Sequence, residues 1–235
     1  MEVSVVIPNY NGLAYLEGVL SSLECQSIKN FEVILVDNGS TDGSCAFVTS
    51  QYSWVHIIEL SENFGFSRAV NEGIKAARAP YVLLLNNDTE VEPDFLKEMT
   101  EGLHRHKKAF SCQAKMLQFH DREKMDDGGN YYCALGWAFA GGKGKAAKHY
   151  DKEKKIFSSC AGAAIYRKKY LKKSDILTMS ILHIWKIWMW DTEPAFTVMK
   201  TGIFPVQLCI MWEAAQAVPG IISLKSVILP EIIST

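Results

Sequence analysis

The 235-residue sequence has no uninterrupted apolar run of 18 residues, no CxxC pair and no excess of charge of one sign. Without the long apolar run, no helix is expected to span a bilayer. The six cysteines (Cys25, Cys45, Cys112, Cys133, Cys160, Cys209) are scattered without a metal-ligand spacing. They fit reduced thiols in a cytosol better than a zinc or disulfide scaffold. Lys and Arg number 25 against 26 Asp and Glu, so no global field recruits nucleic acid or an anionic membrane. The first residues lack a basic start, a long hydrophobic region and a cleavage site, and read as a strand rather than a signal peptide.

What is present is an alternation of short apolar runs and helical periodicities. Residues 3–7 (VSVVI) form a buried parallel strand stopped by Pro8. Leu13, Leu16, Val19, Leu20 and Leu23 then recur at helical spacing, and a second apolar run over 31–36 ends at Asp37-Asn38-Gly39-Ser40. A helix over 44–52, a strand over 55–60, a helix over 67–77 and the very hydrophobic strand 81–85 continue the alternation. Pro93 suits the first turn of a helix beginning near Glu92. This order predicts one α/β domain with a mostly parallel sheet, whose ligands lie beyond the carboxyl ends of the strands. Asn9, Asp37, Asn63 and Asp88 all fall at those ends. A dinucleotide-binding Rossmann domain does not fit, because Pro8-Asn9-Tyr10-Asn11 stands where its G-x-G-x-x-G turn belongs. Farther on the pattern is less regular, with turns at Gly128-Gly129 and Gly141-Gly142 and a solvated basic loop over 143–155.

Three polar positions suit the chemistry of a nucleotide diphosphate, each with a plainer alternative. Asp37 can accept a hydrogen bond from a pyrimidine imide, or it can cap its own turn. Asp88, at the end of the most hydrophobic strand, can hold a hard divalent cation; the alternative is a helix cap, for which Thr89 and Asp94 lie nearer. Arg68 can face a base or a phosphate, or form a surface ion pair.

In order and spacing, VSVVIPNYNG, ILVDNGSTDGS, ENFGFSRAVNEGI and YVLLLNNDTEVEPDFL resemble bacterial family-2 glycosyltransferases of GT-A fold, a nucleotide-diphospho-sugar transferase architecture. The resemblance implies that Pro8, Tyr10, Asp37 and Asn38 line a nucleobase and ribose pocket, and that Arg68, Asn71 and Asn87 help hold the nucleotide. Asn86-Asn87-Asp88 stands at the family's DXD metal motif, making Asp88 the ligand of Mn or Mg, with Asn86 in place of the first carboxylate. Such NND forms resemble rhamnosyltransferase-like members. Gly128, Gly129, Gly162 and Ala163 correspond to the floor of the acceptor site. The implied partners are a dTDP- or UDP-sugar donor and a saccharide or lipid-linked saccharide acceptor. The implied place is cytoplasmic, peripheral at the inner face of the cell membrane.

The resemblance stops near Lys173. The family continues with a glycine-phenylalanine-aspartate turn, an acidic ED pair whose aspartate is the catalytic base, and an arginine and a histidine. Here Ser174-Asp175-Ile176-Leu177 and a tryptophan-rich stretch follow, with four of six tryptophans lying between Trp185 and Trp212. Codons formed from the last base of one residue's codon and the first two of the next recover the missing motifs. Residues 174–176 permit G-Y-F, and 183–193 permit Y-L-E-D-M-D-V-G-Y-R. Residues 205–219 permit a string ending A-V-V-Y-H-V-G-S-G-T-S-G-S, and 223–235 permit F-K-V-R-Y-S-S-R-N-N-I-Y. We therefore expect a glycosyltransferase domain over 1–173 followed by an out-of-frame, irregular tail over 174–235. The alternative for the apolar stretch 181–190 is a genuine helix or a membrane-interface segment. The expected activity is inverting sugar transfer, impaired by loss of the base; the other reading is a non-catalytic nucleotide-sugar-binding protein.

Overall fold

The computed structural model describes residues 1–133, 138–171 and 200–211. Their order is β1 (Val3–Asn9), α1 (Leu13–Glu24), β2 (Phe31–Asp37), α2 (Ser44–Gln51), β3 (His56–Glu59), α3 (Phe66–Ala76), β4 (Tyr81–Leu85), β5 (Thr89–Val91) and α4 (Phe95–Arg105). Then come β6 (Ala109–Gln118), β7 (Met125–Asp127), β8 (Asn130–Tyr132), β9 (Ala138–Ala140), a 3-10 turn (Ala147–His149), β10 (Lys154–Ile156), β11 (Ala163–Arg167), α5 (Lys168–Leu171) and β12 (Lys200–Met211).

One sheet organises the molecule, in the order β10-β12-β6-β11-β4-β1-β2-β3. Its β3-β2-β1-β4 part is parallel, as the strand-helix alternation predicts. β11 enters antiparallel between β4 and β6, which makes the sheet mixed beyond β4. The central parallel strands β1, β2 and β4 read as apolar runs, broken within only at Ser4 and Glu32, because both faces are covered. Val3, Val5 and Ile7 of β1 pack in the core beneath α1 and α4, while Val6 packs with Ala69, Val70 and Ile74 of α3 on the other face.

Several boundaries differ from expectation by a residue or two, and the start of α4 differs by three for a visible reason. α4 begins at Phe95, not near Glu92. The carbonyls of Glu92 and Pro93 accept hydrogen bonds from Gln26 Nε2 and the Ser27 amide, each at 2.8 Å. Those bonds hold the chain outside the helix until Phe95. Of the 174–235 stretch expected to be irregular, Lys200–Met211 is described and is strand, parallel to β6 and antiparallel to β5 and β10. Its Ile203, Val206, Leu208 and Ile210 are residues of good strand propensity. The other residues of that stretch, including 181–190, lie outside the described residues.

Candidate functional site

The strand order reverses between β1 and its neighbours β2 and β4, which opens a crevice at their carboxyl ends. A chain of short polar side chains closes the bottom of this crevice. Asn87 Nδ2 donates to Asn9 Oδ1 at 2.8 Å, and Asn9 Nδ2 donates to Asp37 Oδ1 at 2.9 Å. The Ser40 amide donates to Asp37 Oδ2 at 2.8 Å. Asn9 and Asp37 are buried, so these bonds satisfy groups that water cannot reach. The turn-capping alternative for Asp37 is therefore realised, and it coexists with a place at the crevice.

The neighbouring loop is tied in the same way. Asn38 Nδ2 donates to Asn63 Oδ1 at 2.8 Å, and Asn38 Oδ1 accepts from the Phe64 amide at 3.0 Å. Asp42 accepts from the Leu13 amide at 2.8 Å and the Ser44 amide at 3.0 Å, at the starts of α1 and α2. Burial pushes the Asp42 carboxyl up, but the Ser44 hydroxyl and these two amides outweigh it and hold the carboxyl below its usual range.

Two glycines leave room for this arrangement. A Cβ on Gly12 would stand 2.1 Å from Asn87 Nδ2 and 2.5 Å from Asn9 Oδ1. Gly39 has φ +78° and lies where a Cβ would meet the Glu62 backbone at 2.7 Å, a position closed to other residues on both counts. Gly12→Ala is expected to split the Asn87-Asn9 pair and to lower stability by about 1–3 kcal/mol. Urea unfolding checks it: the midpoint falls with the slope unchanged. A wild-type midpoint would show that the close approach is not required.

Asn86, Asn87 and Asp88 follow β4 directly, and the Asn86 amide donates to Gly162 O at 3.0 Å. Asp88 Oδ1 is buried without a hydrogen-bond partner among the described residues. Burial first, and then the charge of Asp126, raise the Asp88 carboxyl to about 6, against a smaller opposing effect of the Asn86 side chain. Asp126 itself is held by Lys143, whose Nζ lies 2.9 Å from Asp126 Oδ1. An orphaned carboxylate oxygen beside a second carboxylate is an arrangement that a hard cation stabilises. No group of three or more His, Cys, Asp and Glu side chains among the described residues is placed to share an ion.

The two glycine segments expected to form one floor do lie along adjoining elements. Gly162 reaches Asn86, and Ala163 of β11 pairs with Leu85 of β4. Gly128 and Gly129 bond to Gly141 in both directions, at 2.8 and 2.7 Å. Gln113 of β6 joins the segments: its Nε2 donates to Asp127 Oδ1 at 2.8 Å, and its Oε1 accepts from the Cys160 amide at 2.6 Å. Burial raises the Asp127 carboxyl, offset in part by Gln113 and the Gly129 amide. Neither Gln113 nor Asp126 stands out in the sequence, since each acquires its role only when β6, β7 and β11 come together.

The other expected residues divide. Pro8 is half-buried within β1, Tyr10 is 45% exposed at the crevice rim, and Asn71 is buried on α3. Arg68 takes the plainer alternative, an exposed pair with Glu72 at 3.0 Å one helical turn away.

Comparisons with known proteins bear on the family and the fold. The family described as "Glycosyl transferase family 2" matches residues 4–174. The chain is 33% identical over 128 residues to the putative teichuronic acid biosynthesis glycosyltransferase TuaG of Bacillus subtilis, covering 53% of this chain and 50% of that protein. It is 31% identical over 134 residues to glycosyltransferase GlyG of Streptococcus pneumoniae, covering 55% and 42%. The chain thus matches half or less of the length of these relatives. Among solved structures, S. aureus TarS 1-349 in complex with UDP-GlcNAc superposes with a TM-score of 0.69 at 20% identity, covering 92% of this chain and 60% of that one. This likeness concerns the fold: a mixed α/β domain with a mostly parallel central sheet. On the strength of the family match over most of its length, and of a crevice built where such a fold binds its ligand, the chain belongs to glycosyltransferase family 2.

Proposed function

We propose that the crevice at the ends of β1, β2 and β4 binds a nucleotide-diphospho-sugar, a dTDP- or UDP-sugar, with a divalent cation at Asp88. The observation that carries this is the unpartnered Asp88 Oδ1 at the mouth of the Asn87-Asn9-Asp37 chain. Asp37 and Asn38 offer acceptors and donors to a base and ribose, with the Tyr10 ring at the rim. Asn71 and Arg68 stand on the α3 side, where Arg68 can exchange Glu72 for a phosphate. Asp88 would hold Mn or Mg, and a bound cation supplies charge neutralisation of the departing diphosphate. Asn86 would contribute no charge beside Asp88, so the chain's own charge at a bound cation would come from Asp88. The named binding of UDP-GlcNAc by TarS supports this choice of donor class.

Sugar transfer with inversion also needs a carboxylate that takes the acceptor's proton. By the resemblance, that base lies in the part of the chain beyond Lys173, where no in-frame ED pair occurs. We therefore read the protein as a glycosyltransferase of rhamnosyltransferase-like lineage, with a one-base frameshift near Lys173, that binds donor and turns over poorly. The acceptor is a saccharide or lipid-linked saccharide at the cytosolic face of the membrane.

Calorimetry with UDP-, dTDP- and GDP-sugars, with and without manganese, tests this reading. A UDP- or dTDP-sugar is expected to bind, more tightly with the metal. Absence of binding by every donor, with and without metal, overturns the donor site.

A further inference from the structure

The segment running from Gly142 to Ile156 sorts its charges in a way the donor site does not use. It carries six lysines (Lys143, Lys145, Lys148, Lys152, Lys154, Lys155) and two acids. Both acids, though exposed, are engaged by basic side chains from other elements. Asp151 accepts from the buried Lys115 Nζ at 2.6 Å, and Glu153 accepts from Arg105 and His106, each at 2.9 Å. Lys143 is held inward by Asp126. That leaves Lys145, Lys148, Lys152 and Lys155 exposed, without an acidic partner in salt-bridge reach among the described residues. The acids act as tethers, and the surface that remains is cationic.

Next to these lysines lies a surface suited to sugar rings. Tyr131 of β8 and Phe139 of β9 stack at 5.8 Å with their planes 22° apart, and Phe139 is 55% exposed. Lys154 Nζ lies 5.2 Å from the Tyr131 ring and 4.7 Å from the Tyr150 ring, so a cation and flat apolar faces are offered together. A cavity of about 410 Å³ with a floor of Ala146 and Ala147 opens beside them, walled by Lys124 and Lys148 and by Asp121 and Glu123. Asp121 is occupied by Lys124 at 2.8 Å. The segment is joined to Gly128 and Gly129, which the resemblance places at the acceptor floor, because both bond to Gly141.

We propose that the outer face of this segment, with the Tyr131-Phe139 pair, is the docking surface for an anionic saccharide acceptor, one bearing carboxylate or phosphate groups along its chain. The inference rests on the glycosyltransferase reading above and names its acceptor class. A membrane surface fits less well: the segment's apolar Ala147 and Ile156 are buried, which leaves Phe139 as the single large exposed apolar side chain of this surface to insert into lipid.

The test uses the full chain, a hexamer of galacturonate and the corresponding neutral galactose hexamer, with binding followed by calorimetry. The acidic oligomer is expected to bind at low salt and to weaken as salt rises, while the neutral one binds about tenfold or more weakly. The triple variant Lys145→Glu, Lys148→Glu, Lys152→Glu should lose acidic-oligomer binding by about tenfold or more. Its circular dichroism and its UDP-sugar affinity should match those of wild type, since none of the three residues touches the crevice. Equal binding of both oligomers, or an unaffected triple variant, overturns the acceptor class. So does sedimentation with phosphatidylglycerol vesicles in the absence of oligomer binding. Donor affinity is read separately, so loss of the donor site and loss of this surface appear as different results.

Discussion

Asp88→Asn is expected to stabilise the ligand-free protein at neutral pH while removing the cation-dependent part of its donor affinity. The Asp88 carboxyl stands at about 6 in the folded chain against 3.8 for a free aspartate, through burial and the nearby Asp126 charge. A carboxyl raised on folding favours the fold while protonated. That contribution is complete below pH 3.8 and is lost as pH rises through about 6. Above that range the ionised, half-buried carboxylate opposes folding, by about 1–2 kcal/mol after allowance for solvent screening. Asparagine removes the charge and keeps the shape. Urea unfolding at neutral pH should therefore show the variant more stable by that amount, with the difference vanishing under acid conditions. In calorimetry the same variant should lose the gain in donor affinity that manganese gives wild type, about tenfold or more. In wild type that gain should fade as pH drops below about 6, where Asp88 takes up a proton. A variant that is less stable at neutral pH, or that retains the manganese effect, would remove Asp88 from the cation site.

The second large effect is expected from the gene. Inserting one base near the Lys173 codon should restore an ED pair and turn a donor-binding chain into one that transfers sugar. The gain is set by what a positioned general base contributes, about 10²–10⁴-fold in rate. Replacing the restored aspartate of the pair by asparagine should return the rate to that of the present chain, while donor affinity stays the same. Robust transfer by the present chain contradicts the reading. DNA whose shifted frame contains no homologous sequence contradicts it equally.

The parallel half of the fold was legible because its signals are local. Residues 3–7, 31–36 and 81–85 are apolar runs broken only at Ser4 and Glu32, and each leads into a polar residue, Asn9, Asp37 or Asn86, that the structure places at the strand ends. Arg68 carried its own alternative, since Glu72 stands four residues on, and the pair forms. The start of α4 misled because Pro93 suits a first helical turn, yet Gln26 and Ser27, distant in sequence, engage the carbonyls of Glu92 and Pro93. The region after Phe110 was least legible. Its order depends on β11 slipping antiparallel between β4 and β6, and on polar side chains paired across that junction. Ser111 meets Ser159 and Gln113 meets Asp127 only in the assembled sheet.

Gln113 has a consequence for how such a site can change. One amide supports both Asp127 and the Cys160 amide, so the two ends of the stretch between them hang from a single peg. A mutation that shifts one wall drags the other, and substitutions there must come in compatible sets. The stretch itself, which carries the paired rings and the outward lysines, is held along its length as well as at its ends: β10 pairs with β12, the backbone of residues 144–147 bonds to that of residues 123–125, and ion pairs tie it to the body of the domain. Exchange of that stretch therefore has to preserve its anchor on Gln113.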